Sequence, residues 1–379
     1  MPNYSGVWTL QEQYEAILEG NWTGILIEEH GLYAWGQSVN GLVPDNGPND
    51  SRSSPVQIDS EKWSDVSPQS AIKDDGTLWA WSDSTGDGTA INRSSPVQIG
   101  SDTDWSSVHA YDNNYAIKTD GTLWAWGTNT YGSVGDNTRI NKSSPVQIGA
   151  LTNWSKVSAW AGGAIALKTD GTLWGWGYNN NGTLGQGNVI YRSSPVQIGA
   201  ATDWASIGSA RYTIYVINSS GELYSCGANG SGDLGQNDVG DKSTLGQIGS
   251  LTNWAYVDGG NTHAIAVKTD GTLWTWGGGN LGRLGNNATI NKSSPVQIGA
   301  LTDWDSGTAV FYATACVKTD GTLWTWGYNA QGELGVNDTI ATSSPVQVGT
   351  ETSWIKVAGK GSRYTFAAID LSSSRTGMS

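Results

Sequence analysis

Short apolar runs separated by Gly-rich polar turns dominate this chain. A representative stretch reads Trp154-Ser-Lys-Val157, Ala164-Ile-Ala-Leu-Lys168, Leu173-Trp-Gly-Trp-Gly177 and Ser193-Ser-Pro-Val-Gln-Ile198. Each run has the length of a strand, and none approaches the roughly 18 apolar residues of a membrane-spanning helix. Asp170-Gly171 separates the second and third runs. Asp-Gly between strand-like runs predicts a hairpin, here a type I′ turn with positive φ at both central residues. The pair recurs at Asp75, Asp120, Asp270 and Asp320, and one carboxylate per turn is too few for calcium. Trp174 and Trp176 lie two apart and share one strand face, while Leu173 and Gly175 share the other. A strand apolar on both faces needs cover on both.

Comparing the chain with itself turns the stretch into a repeat. Ser-Ser-Pro-Val-Gln-Ile begins at Ser53, Ser94, Ser143, Ser193 and Ser293, with a variant at Ser343 and a degraded copy at Ser243. The spacings are 41, 49, 50, 50, 50 and 50. A Trp opens the first run of each unit, at Trp63, Trp105, Trp154, Trp204, Trp254, Trp304 and Trp354. Leu-Trp-x-Trp-Gly starts at Leu123, Leu173, Leu273 and Leu323. Four-stranded sheets packed face to face around an axis form a β-propeller, at about 40 to 50 residues per blade. Six units are complete, so a seventh blade must combine both ends of the chain. Trp354–Val357 and Tyr364–Asp370 supply its first and second strands, and Gly31–Gly36 and Ser53–Ile58 its third and fourth. Gly24–Glu29 competes with Tyr364–Asp370 for the second place. The expected fold is therefore all-β, a seven-bladed β-propeller with four-stranded blades over residues 22–370. Mixing the N- and C-terminal strands closes the ring and removes exposed edges. A helical segment over residues 1–21 precedes the ring, and a flexible tail, residues 371–379, follows it.

Val257-x-x-Gly-x-x-His263, followed by Gly271-Thr-Leu-Trp-Thr-Trp-Gly277 and Leu281-Gly-Arg-Leu-Gly285, resembles the regulator of chromosome condensation repeat. The resemblance covers about residues 22–370 and implies a seven-bladed propeller. The chain departs from that pattern at the repeat histidine, where Gly163, Thr213 and Ala313 stand instead. In the family those histidines are mainly structural. Ahead of the ring, Thr9-Leu-Gln-Glu12 reads as a capping box, and Leu10, Tyr14, Ile17 and Leu18 form one helical stripe ending at Gly20. Ser5-Gly-Val-Trp-Thr-Leu10, with Tyr14, Ala16, Gly20 and Trp22, is similar to the opening of structural proteins of marine tailed phages.

Composition narrows the function classes. The 379 residues include 52 Gly and 21 Trp, and 14% are charged against an ordinary share of about 25%. The net charge of −14 repels phosphate backbones, which argues against nucleic acid. Glu12, Glu15 and Glu19, with no Lys or Arg in the first twenty residues, do not fit a signal peptide. Cys226 and Cys316 provide neither a disulfide framework nor metal-ligand spacing, and His30, His109 and His263 are scattered. Neither a metal nor a cofactor is expected. No Gly-x-Ser-x-Gly, phosphate loop or His-Glu-x-x-His occurs. Asp112, Asp233 and Glu333 fall in loops, and the chain reads as a non-enzyme.

Up-and-down strand order sends first–second and third–fourth connections to one end of the ring, and hairpins and crossovers to the other. The hairpin end repeats Lys-Thr-Asp-Gly-Thr, with Lys118, Lys168, Lys268 and Lys318 read as solvated neighbours of the turn. The opposite end varies from unit to unit. Its first–second connections carry Tyr111, Asn113, Asn114, Trp160, Arg211, Tyr212, Asn261, His263, Phe311, Tyr312, Arg363 and Tyr364. Tyr, Trp, Arg and Asn are the residue types that make binding hot spots and adaptable polar contacts. They form the candidate ligand-binding set, with packing of the channel rim as the alternative. In the unit from Trp204 to Gly249, Tyr224 and Cys226 replace Trp and Leu245 replaces Pro, which reads as drift.

The expectation is a binding or structural propeller that recognises a protein or cell-surface glycan through this variable end, without membrane contact. The N-terminal resemblance implies a virion or extracellular setting, as a fibre, decoration or host-contact protein with an assembly partner at that segment. The alternative is a bacterial inhibitor or adaptor propeller, secreted or cytoplasmic. Nucleotide exchange on a small GTPase comes third, since the acidic surface and the missing basic tail are wrong for nucleosome contact.

Overall fold

The computed structural model describes residues 26–47, 50–59, 61–359 and 364–375. Among them, the strands form seven four-stranded antiparallel sheets. Blades I to VI run from Trp63, Trp105, Trp154, Trp204, Trp254 and Trp304 to Gln98, Gln147, Gln197, Gln247, Gln297 and Gln347. Blade III is typical: Trp154–Trp160, Gly163–Lys168, Leu173–Gly177 and Arg192–Gln197 pair in chain order. First strands line the axis, second strands are wholly buried, and fourth strands form the half-exposed outer wall.

Blade VII joins the two ends as expected. Its order across the sheet is Arg52–Asp59, Leu26–Gly36, Thr365–Arg375 and Trp354–Gly359. The second place thus goes to the C-terminal segment. Residues 26–29 instead extend the third strand, which pairs with its neighbour from Leu26↔Arg375 to Gly36↔Thr365. That pairing corrects the tail as well: residues 371–375 continue the second strand because the N-terminal strand offers them a ladder of hydrogen bonds. The helical segment 1–21 and residues 376–379 lie outside the described residues.

Two local expectations change. At Asp120-Gly121 only the glycine has positive φ (78°), the Gly121 N–H donates to Lys118 O, and Lys118 N–H donates to Thr122 O. This is a type I turn followed by a left-handed glycine. The aspartate does different work from that expected: Asp120 Oδ1 accepts Thr122 N–H (2.9 Å) and Oγ1–H (2.7 Å). The hydroxyl oxygen then accepts Trp124 Nε1–H at 3.0 Å. The lysines beside these turns are not solvated but buried between two rings. Lys168 Nζ lies 3.6 Å from the Trp174 ring centroid and 5.0 Å from that of Trp154. The ring quadrupoles attract the cation, so the ammonium can leave bulk water.

The second Trp of Leu-Trp-x-Trp-Gly ties each blade to the one before it. The Nε1–H groups of Trp126, Trp176, Trp276, Trp326 and Trp35 donate to the carbonyls of Thr85, Ser133, Asp233, Arg283 and Glu333, at 2.8 to 3.0 Å. All five side chains are fully buried. Trp81 donates within its own blade, to Pro68 O at 3.0 Å. Blade IV keeps the arrangement in reduced form, with Cys226 Sγ 3.6 Å from Thr183 O. The glycine two residues beyond the accepting carbonyl is required by contact: a Cβ on Gly285, at φ +72°, would lie 2.6 Å from Trp326 Nε1. Nearer the rim, Asn137, Asn237, Asn287 and Asn337 N–H donate to Ser193, Ser293, Ser343 and Ser53 O, at 2.7 to 2.8 Å.

Trp176→Phe removes both the inter-blade hydrogen bond and part of a fully buried ring. A destabilisation of about 2–4 kcal/mol is expected. Trp174→Phe loses only a half-exposed bond to Thr172 and should cost about 1 kcal/mol. Urea denaturation of the two variants checks this order, and equal losses would contradict the role given to the inner indole.

Candidate functional site

The third–fourth connections are long, yet one buried asparagine organises each of them in four blades. Asn179 Oδ1 accepts Leu184 N–H (2.8 Å), and its Nδ2 donates to Asn188 O (3.0 Å) and Ile190 O (3.2 Å). Asn129, Asn229 and Asn329 hold the corresponding amide in the same way. Blade V has Gly279 there and forms a 3-10 turn with Leu281 at φ 63°. Opposite charges also tie loops to the outer strands, as in Arg52–Asp45 (2.6 Å), Lys142–Asp136 (2.8 Å) and Lys242–Asp238 (2.7 Å). These cations are neutralised within their own blades.

The structure divides the twelve candidate residues. Tyr111, Asn113, Asn114, Trp160, Asn261 and His263 are buried and cannot meet a ligand with the loops as they stand. The first–second turns are too tight to project them, and Asn113, Asn114, Asn261 and His263 make hydrogen bonds within the fold. Asn113 Nδ2 donates to Thr128 O, and Asn114 Nδ2 to Ser84 O (3.1 Å). His263 Nε2 is 3.0 Å from Thr314 Oγ1, and burial lowers its pKa, with Arg283 adding to the effect. Asn261 Oδ1 accepts Arg211 Nη1–H at 3.4 Å. Arg363 lies outside the described residues. Arg211, Tyr212, Phe311, Tyr312 and Tyr364 remain half-exposed on the loop face.

These five belong to two aromatic clusters completed by residues that the sequence reading passed over. In the first, Tyr178 lies 5.1 Å from Tyr131, 5.2 Å from Tyr191 and 5.3 Å from Tyr212 between ring centroids. Arg211 sits 5.1 Å from the Tyr212 ring centroid. In the second, Tyr364 lies 5.1 Å from Phe311, 5.5 Å from Tyr328 and 6.3 Å from Tyr312. Arg283 is 4.8 Å from the Tyr312 ring. Tyr131, Tyr178, Tyr191 and Tyr328 come from third–fourth connections. A signal was available for two of them: Tyr178 and Tyr328 directly follow Leu-Trp-x-Trp-Gly, where other units carry Thr128, Ala228 or Gly278. Around the same face stands a repeated crown of exposed aliphatics, Ile91, Ile140, Ile190, Val239, Ile290 and Ile340, each 57–69% exposed.

The candidate carboxylates lie in three different blades, II, IV and VI. Asp112 is exposed. Asp233 and Glu333 occupy the same position of blades IV and VI, and the intervening blade has Arg283 there. Burial pushes Asp233 up to about 6 and Glu333 up to about 7. Glu333 Oε2 accepts Gln331 N–H at 2.8 Å, and its other oxygen is buried without a partner.

The axial channel, with a volume of about 280 Å³, is lined mainly by residues of the first strands. Those residues link successive blades. Asp65 Oδ2 accepts Val108 N–H (2.8 Å), His109 Nδ1 accepts Ala159 N–H (3.0 Å), and Thr308 Oγ1–H donates to Asp258 Oδ2 (2.9 Å). An ion pair between Lys356 and Asp65 closes the circle from blade VII to blade I. Among the described residues, no cluster of three or more His, Cys, Asp or Glu is placed to hold a metal.

The periodicity of these contacts has a counterpart among known sequences. Residues 120–166, 170–212, 270–306 and 320–368 match the model of the regulator of chromosome condensation (RCC1) repeat. The chain thus contains RCC1 repeats over these four stretches. No curated protein matches the sequence. Solved structures of similar fold include human WBSCR16, at 17% identity and a TM-score of 0.78 over 90% of this chain and 99% of that one. Prp20p from Saccharomyces cerevisiae, described together with its binding to Gsp1p and histones, has 16% identity and a TM-score of 0.79. The likeness covers 98% of this chain and 97% of that one. Yeast RCC1 (Prp20) in its complex with Kap60 has 15% identity and a TM-score of 0.77, covering 99% of this chain and 95% of that one. At these identities the likeness is one of fold, and RCC1 repeats leave the loop face to be read from its own residues.

Glu333 yields a test of the buried carboxyl. An unfolded glutamate titrates near ~4.3, so the folded chain holds this proton more tightly. Stability therefore falls as pH rises between the unfolded and folded values, then levels off. Glu333→Gln should stabilise the protein by about 2–3 kcal/mol at about pH 8 and by nearly nothing at about pH 4. Denaturation at both pH values checks it, and an equal change at both would refute it.

Proposed function

We propose that the protein is a non-enzymatic recognition propeller that binds a protein partner on its loop face. One observation carries the reading: two half-exposed aromatic clusters and the exposed aliphatic crown stand on the face where the repeat varies. Packed tyrosines with few rotamers offer large, amphipathic contact area at small entropic cost, which suits them to interface hot spots. The aliphatic crown adds apolar surface that favours a protein over a glycan on this face. The outer-strand cations Arg52, Lys142 and Lys242 are neutralised locally and the net charge is −14, which supports a protein rather than a nucleic acid.

The finer setting, a fibre, decoration or host-contact protein of a phage particle, rests on residues Ser5 to Trp22, which lie outside the described residues. Host contact is nevertheless the form of the proposal that can be measured directly. Labelled protein should bind saturably to intact candidate host cells and lose that binding when the cells are treated with protease. A Tyr131→Ala/Tyr178→Ala/Tyr328→Ala variant should bind at least about tenfold more weakly, the effect of losing hot-spot tyrosines, with an unchanged melting temperature. Full binding by this variant would remove the face from recognition. Accelerated nucleotide release from a small GTPase would replace the reading with an exchange factor.

A further inference from the structure

The aliphatic crown has a regularity that the rest of the loop face lacks. Ile91, Ile140, Ile190, Ile290 and Ile340 each stand two residues before the fourth strand of their blade, and Val239 stands three before it. Blade VII departs from the pattern, with Asp50 at the matching place. The backbone around the crown is pinned. Ile140, Ile190 and Ile340 O accept Nδ2–H of Asn129, Asn179 and Asn329, at 3.1 to 3.2 Å. One residue further on, Asn141 and Asn291 Oδ1 accept Asn129 and Gly279 N–H, at 2.8 and 3.0 Å. These contacts hold the aliphatic side chains outward, 57–69% exposed, rather than tucked beneath their own loops.

Apolar residues scattered singly over a surface are ordinary, but an aliphatic at one repeat position in six of seven blades calls for a common explanation. Each crown residue leaves on the order of 100 Å² uncovered, so the six offer roughly 600 Å². With the tyrosines of the same face, this approaches the ~800 Å² that each partner contributes to a stable interface. Residues at one repeat position lie at one radius, so only a surface with a matching circular layout covers them all. A second copy of the ring supplies that layout when a two-fold axis brings the loop faces together, because such a contact meets the same patch on both sides. Charge permits the approach at this end despite the net −14. Here Arg93 pairs with Asp87, as Arg52 does with Asp45, Lys142 with Asp136 and Lys242 with Asp238. At the hairpin end Asp75, Asp120, Asp170, Asp270 and Asp320 are exposed, and two such ends repel each other.

We infer that a second copy of this chain docks on the loop face, crown against crown, to form a two-fold dimer. The inference rests on the proposed reading of that face as a protein-binding surface and names one partner for it. Dimerisation and contact with another protein then compete for the same residues. The contact is apolar, so salt strengthens it by screening the repulsion between two acidic chains.

Sedimentation equilibrium of the full chain at about 1 to 100 μM tests this. A monomer–dimer equilibrium is expected, with the dimer tightening as salt rises from about 0.05 to about 0.5 M. Ile140→Ser/Ile190→Ser/Ile290→Ser/Ile340→Ser should weaken the dimer by about tenfold or more with an unchanged melting temperature, since these side chains are exposed. Leu151→Ser/Leu251→Ser/Leu301→Ser removes apolar surface that is 45–49% exposed at the hairpin end and should leave the dimer as it was. A monomer at every concentration, a dimer that salt dissociates, or equal weakening by the two variants would overturn the inference. Saturable cell binding by a chain that stays monomeric would do so while leaving the proposed function intact. A crown-dependent dimer that binds no cells would uphold the inference and count against host contact.

Discussion

The ring depends on one buried hydrogen bond used over and over, from an indole N–H of one blade to a loop carbonyl of the blade before it. Sheets packed face to face gain apolar burial at nearly any rotation, because the hydrophobic effect has no direction. A hydrogen bond does have direction, and an unmet indole N–H in a dry interface is costly. Five tryptophans placed at 2.8 to 3.0 Å from their acceptors therefore fix the rotation of blade on blade, while their rings fill the space between sheets. The channel-side contacts and the outer amide belt repeat the same link at smaller and larger radius. Closure by chain ends then adds the last blade with a paired strand at every position.

That arrangement couples scaffold and surface in an unexpected way. The carbonyls that receive the indoles belong to the third–fourth connections, the same loops that carry Tyr131, Tyr178, Tyr191 and Tyr328. Their bases are held by buried asparagine, glycine and carbonyl contacts, so their tips can vary while the ring remains intact. In the proposed reading, recognition rests on residues that the fold does not need, supported by residues that it does. The position occupied by Ser133, Thr183, Asp233, Arg283 and Glu333 shows the boundary, since its backbone is structural in nearly every blade and its side chain differs in each. Charge burial at Asp233 and Glu333 lies on that boundary too.

Fold and function separate here in a second sense. RCC1 repeats match four stretches of the ring, and solved propellers of 15–17% identity share the fold over nearly their whole length. The loop face carries half-exposed tyrosines gathered into two clusters. Such clusters suit a large partner that covers area. Tyr fits that role because it combines a large apolar body with one polar atom.

The repeat, the seven blades, the four strands in each and the joining of both ends could all be read from the chain, because strand periodicity and turn residues are local and here recur in register. The Asp-Gly hairpins were legible for the same reason, although the turn type was not, since it depends on which residue of the pair takes positive φ. The candidate site was half legible. Variation between units located the face, but whether Trp160 or Tyr212 reaches solvent depends on how a neighbouring blade covers it. Tyr178 and Tyr328 were marked by their place after a repeated motif, whereas Tyr131 and Tyr191 join their cluster only through contacts across blades. Burial of the lysines between tryptophan rings and the C-terminal strand's claim to the second place in blade VII were decided by tertiary structure alone. Each is set by what lies opposite in space, and no residue's own neighbours in sequence specify that.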